Sequence, residues 1–559
     1  MRRAGHVTPA YAHILWDGGR LVLAGAVLHL VLIQPNHPAA MTLGALRVFP
    51  LELPALLLLL IALPVSWRGA HVLRLILAFV LTVIATLKLA DFASFTALSR
   101  GFNPVSDLTL IGASFRLASG TFGLPAAIAL SILAGALIVG LALTLWWAMG
   151  IWLRVSLRPG LALGAGIGAV TASAVAAYEI GGVMGRWELA VNPPGAAFTA
   201  RVGVERVVGV RRTFDDLRAF REAATDDPFA DRPDLFTALD RDLLILYVES
   251  YGRGILETSA HADTARAALE SAAPMLGEAG LTIRSGWLDA PTRGGQSWLS
   301  HMSLATGLRI DGQTKFAASL ASPRRTLFEL ANDAGLATAA IMPAITMPWP
   351  EAKRMGFDRV YAAADLGYAG APFNWVTMPD QYTLHATERL LLDAAAGPVV
   401  AQIALISSHA PWVPVPALVD WGEIGDGGVF TPMALAGDPP DIVWRDRDRV
   451  RLQYAKAVTY ALDTTFDWIA RRAKAEGRPV PLVLLVGDHQ PAGFVTGDTR
   501  PDVPAHLIGP AAFTDRAAQW GWETGLFPDP DGPVDGMEAM RDRLLDLVSA
   551  PPVIERAAR

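Results

Sequence analysis

The sequence divides into an apolar first third and a more polar remainder. Five long apolar runs with few charged residues cover positions 20–34, 49–67, 71–90, 122–145 and 161–180. Because a helix needs about 20 apolar residues to cross a bilayer, the pattern predicts a transmembrane region of about five helices within residues 1–185. The first run is short and contains His29, so the hydrophobic segment of a signal peptide is an alternative for it.

Basic residues predict the orientation of this region. Three pairs of arginines lie at alternate ends of the runs: Arg2 and Arg3, Arg68 and Arg74, and Arg154 and Arg158. Lysine and arginine accumulate on the cytoplasmic side of membrane proteins. We therefore expect a multi-pass protein of the bacterial inner membrane whose C-terminal half lies in the periplasm.

The remainder of the chain changes from helical to alternating patterns. Residues 186–240 contain several prolines and are predicted to be a linker. Beyond residue 241, short apolar runs predict strands at 243–248, 337–341, 399–406 and 482–486. Helical patterns lie between and after them, at 264–279, 323–334, 382–395, 447–477 and 536–548, and Ser322-Pro323 matches a helix start. This alternation predicts an α/β domain with a mostly parallel central sheet in residues 241–559.

Charge and cysteine content limit the partners and sites that the chain can have. The formal net charge is −6, which argues against a nucleic-acid partner bound by bulk electrostatics. The chain has no cysteine, so it contains neither disulfides nor thiolate metal sites.

Acidic residues stand at the ends of two predicted strands. Glu249 follows the first strand, and Asp488 and His489 follow the last. Ligands of parallel sheets bind at the carboxyl ends of strands, where burying these groups is costly unless a positive charge lies between them. A divalent cation is the simplest solution, and oxygen and imidazole ligands suit Mn²⁺ or Zn²⁺.

A serine lies between these strands in a distinctive segment. Two glycines and Gln296 precede Ser297, which opens a helical stretch that ends at Thr306-Gly307. A hydroxyl at a helix N-terminus faces free N–H groups and the positive end of the helix dipole, where a phosphate is stabilised. The segment alone also fits a serine that only caps the helix.

Together these motifs resemble the alkaline phosphatase and sulfatase superfamily, over about residues 241–550. With the apolar region in front, the chain resembles more specifically the membrane-anchored lipoteichoic acid synthases and related phosphoglycerol or phosphoethanolamine transferases. The resemblance implies a sulfatase-like fold and one or two bound divalent metal ions. It implies that Glu249, Ser297, Asp488 and His489 are metal ligands and that Ser297 is the nucleophile.

The same resemblance suggests residues on the substrate side. His409 matches the superfamily's histidine that contacts the phosphate or protonates the leaving alcohol. Apart from the resemblance, Arg293 and His301 flank Ser297 and are predicted to contact the substrate. The alternatives are a solvated loop arginine for Arg293 and a place on the outer face of the helix for His301. Trp349 loosely matches a tryptophan-and-arginine substrate motif, with altered spacing.

Other features separate the branches of the superfamily. The related transferases usually carry threonine where Ser297 stands, and phosphoethanolamine transferases usually carry disulfides, which this chain lacks. A formylglycine sulfatase needs proline or alanine two residues after the serine and arginine four residues after it. Leu299 and His301 occupy those positions here, which disfavours a sulfatase.

The sequence thus predicts an integral membrane transferase with a phospholipid donor. It would move a phosphoglycerol or phosphoethanolamine head group through a covalent Ser297 intermediate to a periplasmic glycan or lipid acceptor. A phosphodiesterase, phosphatase or sulfatase of the same superfamily is the enzymatic alternative. A non-catalytic membrane sensor or scaffold is the other.

Overall fold

The computed structural model describes residues 10–98 and 100–549, so Arg2 and Arg3 lie outside the described residues. The chain divides into two compact units, Met1–Asp215 and Asp216–Arg559. The first unit is helical: α1 (Ala10–Ile33), α2 (Glu52–Ala62), α3 (Arg68–Leu98), α4 (Thr109–Phe122), α5 (Leu124–Leu153), α6 (Pro159–Val183) and α7 (Phe198–Ala223), within which the division falls.

Among the described residues, three helices are long and apolar enough to cross a membrane, namely α3, α5 and α6. The prediction of five spans is therefore wrong in its count. The apolar parts of α1 and α2 are shorter, at Gly18–Ile33 and Glu52–Ala62. Proline explains the short α2: Leu63 takes an extended conformation with ψ 133° directly before Pro64, as the residue before a proline prefers.

The predicted linker contains a single long helix. Helix α7 is 26 residues long and runs through the β-branched stretch 202–210, where the sequence did not suggest a helix. Val202 is buried in this helix. Tertiary packing of that side chain outweighs the modest helix propensity of β-branched residues.

The second unit contains a nine-stranded sheet. Its strands are β1 (Leu243–Val248), β2 (Thr282–Asp289), β3 (Ala337–Met342), β4 (Arg359–Ala362), β5 (Val399–Leu405), β6 (Leu482–Gly487), β7 (Asp502–Gly509), β8 (Glu523–Thr524) and β9 (Val534–Gly536). The strand order is β4-β3-β5-β1-β6-β7-β2-β8, and β9 pairs with β2. Strands β4, β3, β5, β1 and β6 are parallel, whereas β7 is antiparallel to both of its neighbours, so the sheet is mixed.

Helices cover the sheet. They are α8 (Gly254–Glu257), α9 (Ala262–Glu278), α10 (Ser297–Thr306), α11 (Gln313–Leu320), α12 (Leu327–Asp333), α13 (Asp380–Thr387), α14 (Thr431–Ala434), α15 (Pro440–Val443), α16 (Arg447–Ala473), α17 (Gly493–Thr496), α18 (Ala511–Thr514) and α19 (Ala539–Val548). Every residue of β1 is buried, as expected for a central strand that is covered on both faces.

The start of α12 differs from the prediction. The helix begins after Thr326, not at Ser322-Pro323. Thr326 Oγ1 accepts the Glu329 N–H, and the Glu329 carboxylate accepts the Thr326 N–H. This reciprocal capping box satisfies two N–H groups that lack partners within the helix, and it marks where the helix starts.

Candidate metal centre

Strand register places the two acidic strand ends side by side. In the parallel β1–β6 pair Val248 lies opposite Gly487, so Glu249 and Asp488 leave the sheet at the same edge. On the other side of β1, the Glu249 N–H donates to the Leu405 carbonyl oxygen of β5 over 3.0 Å. The predicted strand ends therefore do meet at one edge.

A compact cluster of acidic and imidazole groups forms there. Glu249, Asp488 and His489 each offer a ligand atom, and these atoms lie within 4.8 Å of one another. His489 Nε2 is 3.1 Å from Glu249 Oε1 and 3.8 Å from Asp488 Oδ1. Glu249 is 8% exposed, and the other two residues are 1% exposed. Such buried carboxylates require a compensating positive charge.

A backbone hydrogen bond orients the ring of His489. His489 Nδ1 lies 2.9 Å from the Gln490 carbonyl oxygen, and a backbone acceptor there places a ring proton on Nδ1. His489 Nε2 faces the carboxylates and is a buried nitrogen without a hydrogen-bond partner of acceptable geometry. Burial disfavours a charge on this ring, but Asp488 and Glu249 raise the pKa of His489 to about 9, so Nε2 carries a proton that a bound cation would displace. The nitrogen therefore fits a metal ligand.

Electrostatics within the cluster show the same need for a cation. Burial and then the neighbouring Glu249 charge raise the pKa of Asp488 to about 8. Burial opposes ionisation of Glu249, yet the adjacent His489 holds the pKa of Glu249 below its usual value. A divalent cation held by these groups would favour both carboxylates and the neutral imidazole, because its charge exceeds that of a shared proton.

A strained loop carries Ser297 to the same place. Gly294, Gly295 and Gln296 have φ values of 71°, 136° and 68°, three consecutive residues in the region that favours glycine. The Gly294 N–H donates to the Gln490 carbonyl oxygen over 2.8 Å, which ties the loop to the residue after His489. A non-glycine residue with positive φ, such as Gln296, is often found at functional sites.

Ser297 opens α10 and contacts the acidic cluster directly. Its Oγ donates to Glu249 Oε2 over 3.1 Å. The other oxygen of the same carboxylate faces His489 Nε2. The four residues that the sequence singled out as metal ligands are thus brought together, with the serine hydroxyl at the N-terminus of a ten-residue helix.

The predicted substrate-side residues have different surroundings. His409 follows β5 at the same sheet edge, is exposed, and interacts electrostatically with Glu249. Arg293 pairs through its backbone with Gln490, and burial lowers the pKa of its guanidinium, opposed by Asp498. Both residues therefore lie beside the cluster.

His301 and Trp349 are the other two residues predicted on the substrate side. His301 belongs to α10, and its buried ring, whose centroid lies 3.9 Å from that of Tyr247, interacts electrostatically with Glu249 and His489. Burial lowers the pKa of His301 to about 3. A neutral, enclosed ring fits a supporting role better than a substrate contact. Trp349 precedes a short helical turn and packs near Phe357. Within the part of the chain that the structure describes, no contact connects Trp349 with Ser297.

Sequence reasoning missed two supporting groups, Ser408 and Tyr454. Ser408 Oγ donates to the Glu249 carbonyl oxygen over 2.6 Å, and Tyr454 Oη donates to the Ser250 carbonyl oxygen over 2.8 Å. Ser408 precedes His409 and could have been noticed. Tyr454 lies in the middle of a long helix and gives no local signal.

The chain has matches among solved structures. No family model matches the sequence, and a search of curated proteins finds no match. Among solved structures, the chain is similar to the integral membrane lipooligosaccharide phosphoethanolamine transferase EptA from Neisseria meningitidis, with 14% identity, a TM-score of 0.48, and coverage of 94% of this chain and 95% of that one.

Two further matches cover a smaller share of the chain. The lipoteichoic acid synthase LtaP from Listeria monocytogenes is 14% identical, with a TM-score of 0.37, over 60% of this chain and 79% of that one. A phosphonate monoester hydrolase from Silicibacter pomeroyi is 12% identical, with a TM-score of 0.32, over 55% and 73%. The matches thus include proteins of the kind that the sequence resembles. At these identities and TM-scores the neighbours' activities are not transferred to this chain, so its function is inferred from its own residues.

Proposed function

We propose that the chain is a metal-dependent membrane transferase that moves a phospholipid-derived head group through Ser297. One observation carries the proposal: Ser297 Oγ, at a helix N-terminus, donates to a buried carboxylate whose other oxygen lies 3.1 Å from His489 Nε2. A nucleophile, an acidic ligand and an imidazole ligand thus converge within hydrogen-bond distance. Such convergence is what attack on a phosphodiester requires.

The donor set suits one divalent cation. Glu249, Ser297, Asp488 and His489 would hold it, as Mn²⁺ or Zn²⁺. When bound, such an ion lowers the pKa of a coordinating hydroxyl and offsets phosphate charge. The residues themselves hold the geometry: Asp488 Oδ1 accepts the N–H groups of Ser250 and His489 over 2.8 and 2.7 Å, so its orientation is fixed.

The proposed reaction has two half-reactions. In the first, Ser297 Oγ forms a bond to the phosphorus of the donor, the phosphorus–oxygen bond to diacylglycerol breaks, and diacylglycerol leaves with a proton. In the second, an acceptor hydroxyl attacks the phosphorus, the bond to Ser297 breaks, and the serine regains its proton. In this proposal His409, which is exposed and interacts electrostatically with Glu249, exchanges protons with the leaving and entering alcohols.

The helical unit supports an inner-membrane location. Arg74 Nε donates to the Trp146 carbonyl oxygen over 2.9 Å, so the start of α3 and the end of α5 lie together. Arg68 and Arg154 stand at these same ends, and a basic end favours the cytoplasm. Helices α3, α5 and α6 then cross outward, inward and outward, and the residues that follow emerge in the periplasm. An acceptor on a periplasmic glycan or lipid fits this side.

Head-group transfer can be tested with a phospholipid labelled in both its head group and its acyl chains. The wild-type protein with Mn²⁺ or Zn²⁺ should release labelled diacylglycerol, whereas Ser297→Ala should not. Ser300→Ala is the matched control, because it removes a buried hydroxyl without a hydrogen-bond partner from the same helix. Diacylglycerol release by Ser297→Ala at the wild-type rate would refute the proposal. A head group that appears only as free phosphoalcohol, even with glycan added, would favour the hydrolase.

A further inference from the structure

The helical unit contains an apolar groove that the proposed reaction does not use. It has a volume of about 850 Å³ and lies among α2, α3, α6 and α7. Its walls are mainly aliphatic. Small residues on three of these helices leave the space open: Ala55, Ala176, Ala177, Ala200 and Gly203. A cavity of this size falls in the usual range for small-molecule sites.

The length of the groove matches one leaflet of a bilayer. Leu77 and Leu87 of α3 both line it, and they are separated by ten residues. At a rise of 1.5 Å per residue the groove is about 15 Å long. The hydrocarbon core of a bilayer is about 30 Å thick, so this length is about half of it.

One end of the groove is polar. Glu52, Thr199 and Arg206 line that end, at the start of α2 and in the first turns of α7. Behind them, Lys88 Nζ donates to Thr199 Oγ1 over 2.6 Å, and Arg206 pairs with the buried Asp91. Ionisable groups within a membrane unit are costly and mark functional sites.

Two atoms at this end have no partner. Glu52 Oε2 and Arg206 Nε are buried and make no hydrogen bond. A guanidinium N–H requires an acceptor, and phosphate oxygens are its usual strong partners. The polar end also lies at the opposite end of α3 from Arg68, and hence at the proposed outer surface of the membrane.

We propose that this groove binds a diacyl phospholipid of the outer leaflet. One acyl chain fills the space between Leu77 and Leu87, and the phosphate lies at Arg206. The apolar length, the polar end and the unpartnered guanidinium nitrogen all match that single ligand. The inference depends on the helical unit spanning a membrane and not on the transfer reaction.

Photo-crosslinking tests the groove with a defined probe. The full chain is reconstituted in vesicles that contain a phospholipid with a diazirine midway along one acyl chain, then irradiated and digested. We expect labelled peptides from residues 77–87 and 199–208. Labelling should be the same in the Ser297→Ala background, so the result is independent of the proposed reaction.

Two tryptophan variants distinguish binding from general lipid contact. Ala177 lines the groove and is exposed, so Ala177→Trp places an indole in the space. We expect groove labelling to fall roughly tenfold, the effect of expelling about two methylene groups. Gly140→Trp is the control, since Gly140 lies on α5 with no atom within 4 Å of an added Cβ. It should leave groove labelling unchanged.

The smaller Ala177→Leu variant covers the case in which tryptophan prevents folding, and it should reduce labelling to an intermediate extent. Equal labelling of α5 and the groove in the wild-type protein would overturn the proposal. So would unchanged groove labelling in a folded Ala177→Trp protein, as judged by its elution and helical content.

Discussion

Replacing Glu249 by Gln should remove the metal-dependent part of the protein's stability. Glutamine keeps the shape of the side chain and an oxygen that can still accept from Ser297 Oγ, now 3.1 Å away. It removes the negative charge that faces His489 Nε2 over 3.1 Å. The substitution therefore tests the ligand role of Glu249 with little change in packing.

The expected magnitude follows from binding linkage. A metal present at about 100 times its Kd stabilises the folded state by about 2.7 kcal/mol, provided that it does not bind the unfolded chain. Loss of one of three charged or imidazole ligands should weaken binding enough to remove most of this stabilisation at the same metal concentration. The wild-type Tm should rise by several degrees as metal is added, and the Tm of Glu249→Gln should stay nearly flat.

Asp242→Asn is the matched control for this experiment. Asp242 is a buried carboxylate at the opposite end of β1, 3.3 Å from Arg478 and far along the strand from the cluster. Its loss should lower the Tm at every metal concentration without changing the metal response. The assay is thermal unfolding of the purified full chain in detergent across a metal titration. A Glu249→Gln protein whose Tm rises as much as that of the wild type would refute the ligand assignment.

Three further predictions concern the supporting structure. Burial lowers the pKa of His506 from its usual value of about 6.5 to about 3. As the pH falls, His506 is therefore protonated in the unfolded chain before it is protonated in the folded one. The free energy of unfolding should fall as the pH drops from about 6.5 towards 3, by up to about 1.4 kcal/mol per pH unit. Urea unfolding of His506→Gln should show a pH slope smaller by one proton, and an unchanged slope would contradict it. Gly487→Ala would place a Cβ 1.8 Å from a backbone carbonyl oxygen and should lower the free energy of unfolding by about 1–3 kcal/mol or more. The control is Gly277→Ala, which has open space around the added Cβ and should leave the stability unchanged or slightly higher. Thermal unfolding measures both. Ser408→Ala removes the 2.6 Å hydrogen bond from Ser408 Oγ to the carbonyl oxygen of Glu249, and it should lower metal affinity about 10–100-fold. A metal titration that gives the wild-type affinity would contradict a supporting role for Ser408.

The location of the candidate metal centre could be predicted because its strands are central. Strands β1 and β6 are buried on both faces and appear in the sequence as continuous apolar runs. Each run ends at a chemically distinctive residue, Glu249 or Asp488. Because parallel neighbours end at the same edge of a sheet, assigning the two strands is enough to predict that Glu249 and Asp488 lie close together.

The mixed half of the sheet was less predictable. Strand β2 includes Arg284 and Ser285, and β7 includes Pro504 and His506, so neither shows a continuous apolar run. Their polar groups are satisfied by specific partners, such as the 2.7 Å contact between Ser285 Oγ and His506 Nδ1. Because these hydrogen-bond partners are distant in the sequence, no local residue pattern indicates that the polar groups are buried in strands.

The number of spans depended on a local effect that the length criterion ignores. An apolar run at residues 49–67 satisfied the length criterion, but Pro64 ends α2 after 11 residues. At the site, proximity to Ser297 in sequence did not reveal that the buried ring of His301 lies against Tyr247, and its substrate contact stays a prediction. Helical periodicity over four residues decides which face a side chain takes.

The most direct test of the central claim is the mass of the peptide that carries Ser297. The full chain is incubated with metal and mixed bacterial phospholipids, quenched in acid and digested. The account predicts a phosphoglycerol or phosphoethanolamine adduct on Ser297 that is absent without metal. A Ser297 peptide that remains unmodified at every time point, while diacylglycerol is released, would contradict the covalent mechanism.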